Sequence, residues 1–199
     1  MRRNRTFLCC LSAVILLSCG QRNQHPQSAA IQELITIARQ FDLDNNHQDA
    51  LVILDSLAKA GVVFGFYDRL VYCRSMKNAG DLRTADTMYR RFIAADTIRG
   101  ERWKIIVEYL PVLYVSKNYK ELRRYSDLLR DSAGDSTNKF QDIRLTYYFL
   151  SSLGENNCLE MRQYLDSLKS LVYNTDSSPL VSSEDINAYQ DTMAELCPR

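Results

Sequence analysis

LITIARQFDLDNNHQDALVILDSL, residues Leu34 to Leu57, carries the pattern that decides the fold. Leu34, Ile37, Ala38 and Phe41 recur three and four positions apart, and Ala50, Leu54 and Leu57 do the same after a polar break at Asp44-Asn45-Asn46. That is the period of a helix with one apolar stripe, written twice with turn residues between. Ala38 and Ala50 are small where two helices must approach closely, whereas Phe41, Leu54 and Leu57 are large enough to fill the space between turns. The stretch therefore reads as a helix hairpin.

The hairpin recurs along the chain. Shifted by about 35 residues, Arg69, Tyr72, Cys73 and Met76 precede Ala85, Tyr89 and Phe92. A third pair keeps Ile106, Tyr109, Leu113 and Leu129 but places Leu110 and Leu122 at the small positions, which predicts looser packing. A fourth keeps Ile143, Leu150, Leu165 and Leu168, and its Leu165-Asp166-Ser167-Leu168 echoes Leu54-Asp55-Ser56-Leu57. Breaks at Ala60-Gly61, Gly80-Asp81, Arg99-Gly100, Lys117-Asn118, Gly134-Asp135, Gly154-Glu155 and Asp176 to Ser183 delimit helices of about 13 to 18 residues. Strand-like alternation is missing, so the expected class is all-α.

These sizes and spacings resemble the tetratricopeptide repeat (TPR) family over roughly Ala29 to Tyr173, most closely in the first pair and least in the last two. The resemblance implies a TPR-like α-solenoid of about four helix hairpins plus a C-terminal capping helix, with the first helix of each pair lining a concave face. A plain helical bundle is the alternative architecture. The final helix is predicted over Ser183 to Leu196, with Ser182 or Ser183 as N-cap before Glu184 and Asp185.

The N-terminus has a different character. Arg2, Arg3 and Arg5 precede an apolar run from Phe7 to Leu17. At about a dozen residues it is shorter than the roughly 20 that cross a bilayer, and it reads as a secretory signal. Leu16-Leu17-Ser18-Cys19-Gly20 resembles the lipobox of bacterial lipoproteins. That resemblance implies cleavage before Cys19, a diacylglycerol on its thiol and a further acyl chain, such as palmitate, on the new amine. An ordinary signal peptide with an accidental cysteine is the alternative. Gln21 to Ser28 is polar, contains Pro26 and reads as a tether. The expected organisation is thus residues 1–18 signal peptide, 19–28 lipidated cysteine and tether, 29–173 helical repeats, and 174–199 linker and capping helix. No acidic residue directly follows Cys19, which by the same resemblance points to the outer membrane and its periplasmic face.

Composition narrows the partners. The signal removes three arginines and no acid, taking the formal charge from +1 to −2. That balance offers no electrostatic footprint for nucleic acid. Beyond Cys9, Cys10 and Cys19, three cysteines remain: Cys73, Cys158 and Cys197. A bridge between Cys158 and Cys197 would tie the last helix to the body; three separate thiols are the alternative. Without a CxxC spacing, neither a zinc knuckle nor a redox pair is supported.

Chemistry-bearing motifs are sparse. Asp42 to Asn46 resembles the start of a calcium loop, but His47 and Ile53 stand where the loop needs glycine and glutamate. His25 and His47 are the only histidines, too few for a metal cluster or a Ser/His/Asp set. Glu155 and Glu160 form a carboxylate pair of the kind normally solvated beside a turn. No enzyme activity, metal or cofactor is expected. By the TPR resemblance, first-helix residues outside the packing positions would contact a protein or peptide partner: Arg39, Tyr67, Arg74, Lys77, Lys104, Glu108, Arg144 and Tyr148. Arginine and tyrosine are the types that concentrate binding energy at interfaces. Arg39 and Arg74 occupy positions where carboxylate-clamp members carry asparagine, so that ligand does not transfer. Pro111 is expected to kink its helix. A ligand-binding or sensory module, similar to repeat-containing extracytoplasmic parts of sensor proteins, is the rival reading; oligomeric state is left open.

Overall fold

In a computed structural model, residues 28–95, 101–132, 140–174 and 181–197 are described. They form nine α-helices and, among themselves, no strand. These are α1 Ala29–Leu43, α2 His47–Lys59, α3 Phe66–Asn78, α4 Leu82–Ala94, α5 Arg102–Val115, α6 Tyr119–Ser132, α7 Gln141–Gly154, α8 Cys158–Asn174 and α9 Ser183–Leu196. The all-α expectation holds. The signal segment, Cys19, most of the tether, and the expected breaks at Arg99-Gly100, Gly134-Asp135 and 176–180 lie outside the described residues.

One turn ends the first helix of each expected pair. Asn45, Gly80, Lys117 and Asn156 all have positive φ (58°, 91°, 55° and 54°), at intervals of about 35 to 39 residues. In each case the next residue donates its N–H to a carbonyl five positions back: Asn46 to Phe41 at 2.8 Å, Asp81 to Met76 at 3.0 Å, Asn118 to Leu113 at 2.9 Å and Asn157 to Ser152 at 2.8 Å. The positive-φ residue itself bonds three back, and together these bonds occupy carbonyls that the helix end would leave without partners. Gly61, at φ 80°, closes α2 the same way, with Val62 bonding to Leu57 at 3.0 Å.

The chain divides into two compact units, one reaching Asp81 and the other starting at Leu82. In the first, α1 packs on α2 and both pack on α3. Ala38 and Ala50 are fully buried, as two closely approaching helices require, and Ile35, Leu54, Leu57, Tyr72, Cys73 and Met76 complete the core. A buried carboxylate organises one end of this unit. Asp42 of α1 accepts from the Nε of Arg74 of α3 at 2.9 Å and from Ser75 at 3.3 Å, and meets His47 Nδ1 of α2 at 3.1 Å. His47 Nε2 lies 3.0 Å from Asn78 Nδ2 near the end of α3. The ends of α1 and α3 and the start of α2 are thereby fastened together.

In the second unit, α4 packs on α5, α5 on α6, α6 on α7, α7 on α8 and α8 on α9, with α5 also against α7. Tyr89 stacks on Tyr109 with centroids 5.3 Å apart, and Tyr125 meets Tyr109 edge-on at 4.9 Å. Leu110 and Leu122, large at positions that were small earlier, are both fully enclosed. Helix α5 continues unbroken through Pro111. Ser182 caps α9 in a reciprocal box with Asp185, and Ile186 docks with Phe149, Met161, Leu165 and Leu168. Cys158, the first residue of α8, is bridged to Cys197 at the end of α9, with Cα atoms 5.7 Å apart. Cys73 is buried and takes no part in a disulfide.

Candidate functional site

The first helix of each expected pair positions the residues singled out from the sequence, and the two units treat them differently. In the first unit, Arg39 on α1 donates through Nε to Asp68 at the start of α3 at 2.8 Å, and 47% of its side chain faces solvent. Arg74 is held by Asp42, as described, with 29% of its side chain exposed against 1% for the carboxylate. Both arginines therefore brace the seam between α1 and α3 while keeping one edge in water. Lys77, a turn beyond Arg74, is half-buried. Tyr67 stands at the opening of α3, 55% exposed, with its ring edge-on to Phe66 at 5.3 Å.

In the second unit, Arg144 and Tyr148 lie one helical turn apart on α7 and share Asp127 of α6. Arg144 Nη2 is 3.5 Å from Asp127 Oδ1. The Tyr148 ring stacks on Tyr164 of α8 at 5.0 Å, and burial followed by the hydrogen bond to Asp127 pushes its phenol up to about 12. Lys104 pairs with Glu101 at 2.7 Å, and its ammonium sits 5.7 Å from the Trp103 ring centroid. Glu108, one turn further along α5, is half-buried and adds charge beside Tyr147.

Two clusters had no warning in the spacing. Arg123 of α6 donates to Ser151 Oγ at 2.8 Å, Ser152 Oγ at 3.2 Å, Glu155 at 2.7 Å and Glu160 at 2.6 Å. It thus ties α6 to α7, α8 and the turn between them. The hydrogen bond from Arg123 holds the Glu160 carboxyl below the usual range, and Glu155 shares the same guanidinium. In α4, Asp86 accepts from the Tyr109 hydroxyl and from Arg90 Nε at 3.0 Å, while Arg90 Nη1 reaches Glu121 of α6 at 3.1 Å. A related bond joins the Tyr72 hydroxyl of α3 to Asp55 of α2. Three times, then, an aspartate on one helix receives a tyrosine from the helix that follows: Asp55 with Tyr72, Asp86 with Tyr109 and Asp127 with Tyr148. The three tyrosines were visible individually; their partners sit at different offsets in sequence, so no fixed spacing exposes the device.

Among the described residues no group of three or more His, Cys, Asp or Glu side chains could hold a metal ion, and no helix is long and apolar enough to cross a membrane. No protein-family model, curated protein or solved structure matches the chain.

Proposed function

We propose that this chain is a lipid-anchored protein of a bacterial cell envelope, held through Cys19, whose TPR-like helix pairs serve as a non-catalytic scaffold for a protein or peptide partner. The observation that carries the repeat reading is the turn that ends the first helix of each pair, at Asn45, Gly80, Lys117 and Asn156. A turn that returns at the end of the first helix of each pair is what a repeat reading expects, and repeat proteins use the faces of such helices for capture. On those faces Arg39, Lys77, Lys104, Arg144 and Tyr148 supply charge and ring surface, with the aspartates behind several of them limiting the entropy lost on binding. Arg74, more deeply engaged by Asp42, supports its neighbours.

The Cys158–Cys197 bridge supports an extracytoplasmic location, since such bonds persist where the compartment is oxidising. Lipid anchoring at the periplasmic face of the outer membrane would raise the local concentration of partners on the same membrane. The test is photocrosslinking in the intact envelope from Lys77 and Lys104, followed by identification of the attached protein. Lys77→Glu with Lys104→Glu should abolish recovery of that protein while the helical circular dichroism of the folded chain is retained. Recovery that survives both reversals, or thermal stabilisation by a small sugar or peptide with no protein attached, would replace the scaffold with the sensory alternative.

A further inference from the structure

The first unit has two chemically different ends. The Asp42–His47–Asn78 chain of contacts gathers the C-terminal end of α1, the start of α2 and the C-terminal end of α3 at one of them. Because α2 runs back between them, the starts of α1 and α3 and the end of α2 lie together at the other. The ion pairs agree with this parallel sense: Arg39 meets Asp68 and, further along both helices, Asp42 meets Arg74. At that second end the 62–65 connection presents Val63, 74% exposed, next to Phe66 and the exposed Tyr67. Arg69 Nε bonds to the Phe64 carbonyl at 3.0 Å and Phe64 itself is buried, so the connection is fixed in place while Val63 and Tyr67 project outward. Exposed Lys59 ends α2 beside them.

The same end receives the chain from Cys19. Ser28 lies nine positions after Cys19 in sequence, and a fully extended segment of that length spans at most about 30 Å. The chain from Cys19 therefore enters this unit at the end bearing Val63, Phe66 and Tyr67. An aliphatic residue with two aromatics, one carrying a hydroxyl, and a lysine at the rim is the composition that partitions into the headgroup boundary.

We propose that this end of the first unit docks on the bilayer surface, with Val63, Phe66 and Tyr67 entering the interface of the membrane to which Cys19 is attached. The inference rests on the lipid-anchor reading and assigns Tyr67 to lipid, leaving the protein partner to the other first-helix residues. Docking would fix the orientation of this unit on the membrane.

The experiment uses the full lipoprotein in phosphatidylethanolamine–phosphatidylglycerol vesicles containing acyl-brominated phosphatidylcholine. The sole tryptophan is removed by Trp103→Phe, and Tyr67→Trp or, at the opposite end, the exposed Leu43→Trp provides the reporter. Mass analysis of the N-terminal peptide independently reads acylation. An acylated protein whose Tyr67→Trp emission shifts to the blue and is quenched, while Leu43→Trp emission is unchanged, is the expected result. Acylation with no quenching at either position, or equal quenching at both, overturns the docking while leaving the anchor intact. An unacylated Cys19 overturns the anchor reading itself and the docking with it.

Discussion

Asp42 and Arg74 meet across the seam between α1 and α3, with 1% of the aspartate side chain exposed and 29% of the arginine. The aspartate that looked like the first position of a calcium loop is thus a buried structural anion, satisfied by a guanidinium, a serine hydroxyl and an imidazole. Asp42→Asn keeps the shape and removes the charge, taking that counter-ion from Arg74. Breaking a buried pair costs about 3–5 kcal/mol; with Arg74 still partly wet, a loss of about 2–3 kcal/mol is expected. A lower denaturant midpoint at unchanged slope would show it.

The repeated turn makes opposite predictions at glycine and non-glycine positions. Lys117 and Asn156 occupy left-handed backbone that costs a residue with a Cβ about 1–2 kcal/mol, asparagine being the better tolerated. Lys117→Gly should raise the melting temperature, by more than Asn156→Gly does. Gly80, at φ 91° with open space around a would-be Cβ, should lose about 1 kcal/mol on Gly80→Ala from backbone strain alone.

Reduction should loosen the C-terminal helix. The Cys158–Cys197 bridge closes a loop of sequence separation 39. In the chain-entropy account a loop of that size contributes about 4 kcal/mol. Cys158→Ser with Cys197→Ser should therefore lower the melting temperature and expose α9 to protease. The capping box at Ser182 and the docking of Ile186 on Phe149 keep α9 helical when it is in place.

High pH should destabilise the second unit as the pH rises above the range of ordinary tyrosines. Burial, followed by the negative influence of Tyr189 and Glu108, pushes the Tyr147 phenol up to about 12, and Tyr148 is pushed up to about 12 for the reasons given above. An unfolded tyrosine ionises near about 10, so the fold favours the neutral phenol. Its stabilisation is complete below that value and is lost as pH rises from there toward 12. Tyrosinate absorbance should show a late-titrating class, and Tyr147→Phe should flatten the loss of stability over that window.

Helix boundaries were the most legible part of the chain. Leu34, Ile37, Ala38 and Phe41 announce α1 because a helix returns to one face every three or four residues, and Asn45, Gly80 and Gly61 mark ends because few other residues accept left-handed backbone. Lys117 was legible only through its neighbour Asn118 and the returning period. Partnerships across helices were not legible. Arg123 reaches Ser151, Ser152, Glu155 and Glu160 over separations of 28 to 37 positions, which no local period encodes.

By itself the sequence determined the class, the hairpin rhythm and the charged, greasy and cysteine-bearing order of the first twenty residues, all of which are local properties of neighbouring side chains. Tertiary structure alone decided what the chosen side chains do: that Arg39 and Arg74 lean on Asp68 and Asp42, that Arg144 and Tyr148 share Asp127, and that Val63 and Tyr67 project from one end. The reason is physical. A helical period says which face a residue occupies, whereas the partner opposite that face depends on how helices distant in sequence are brought side by side.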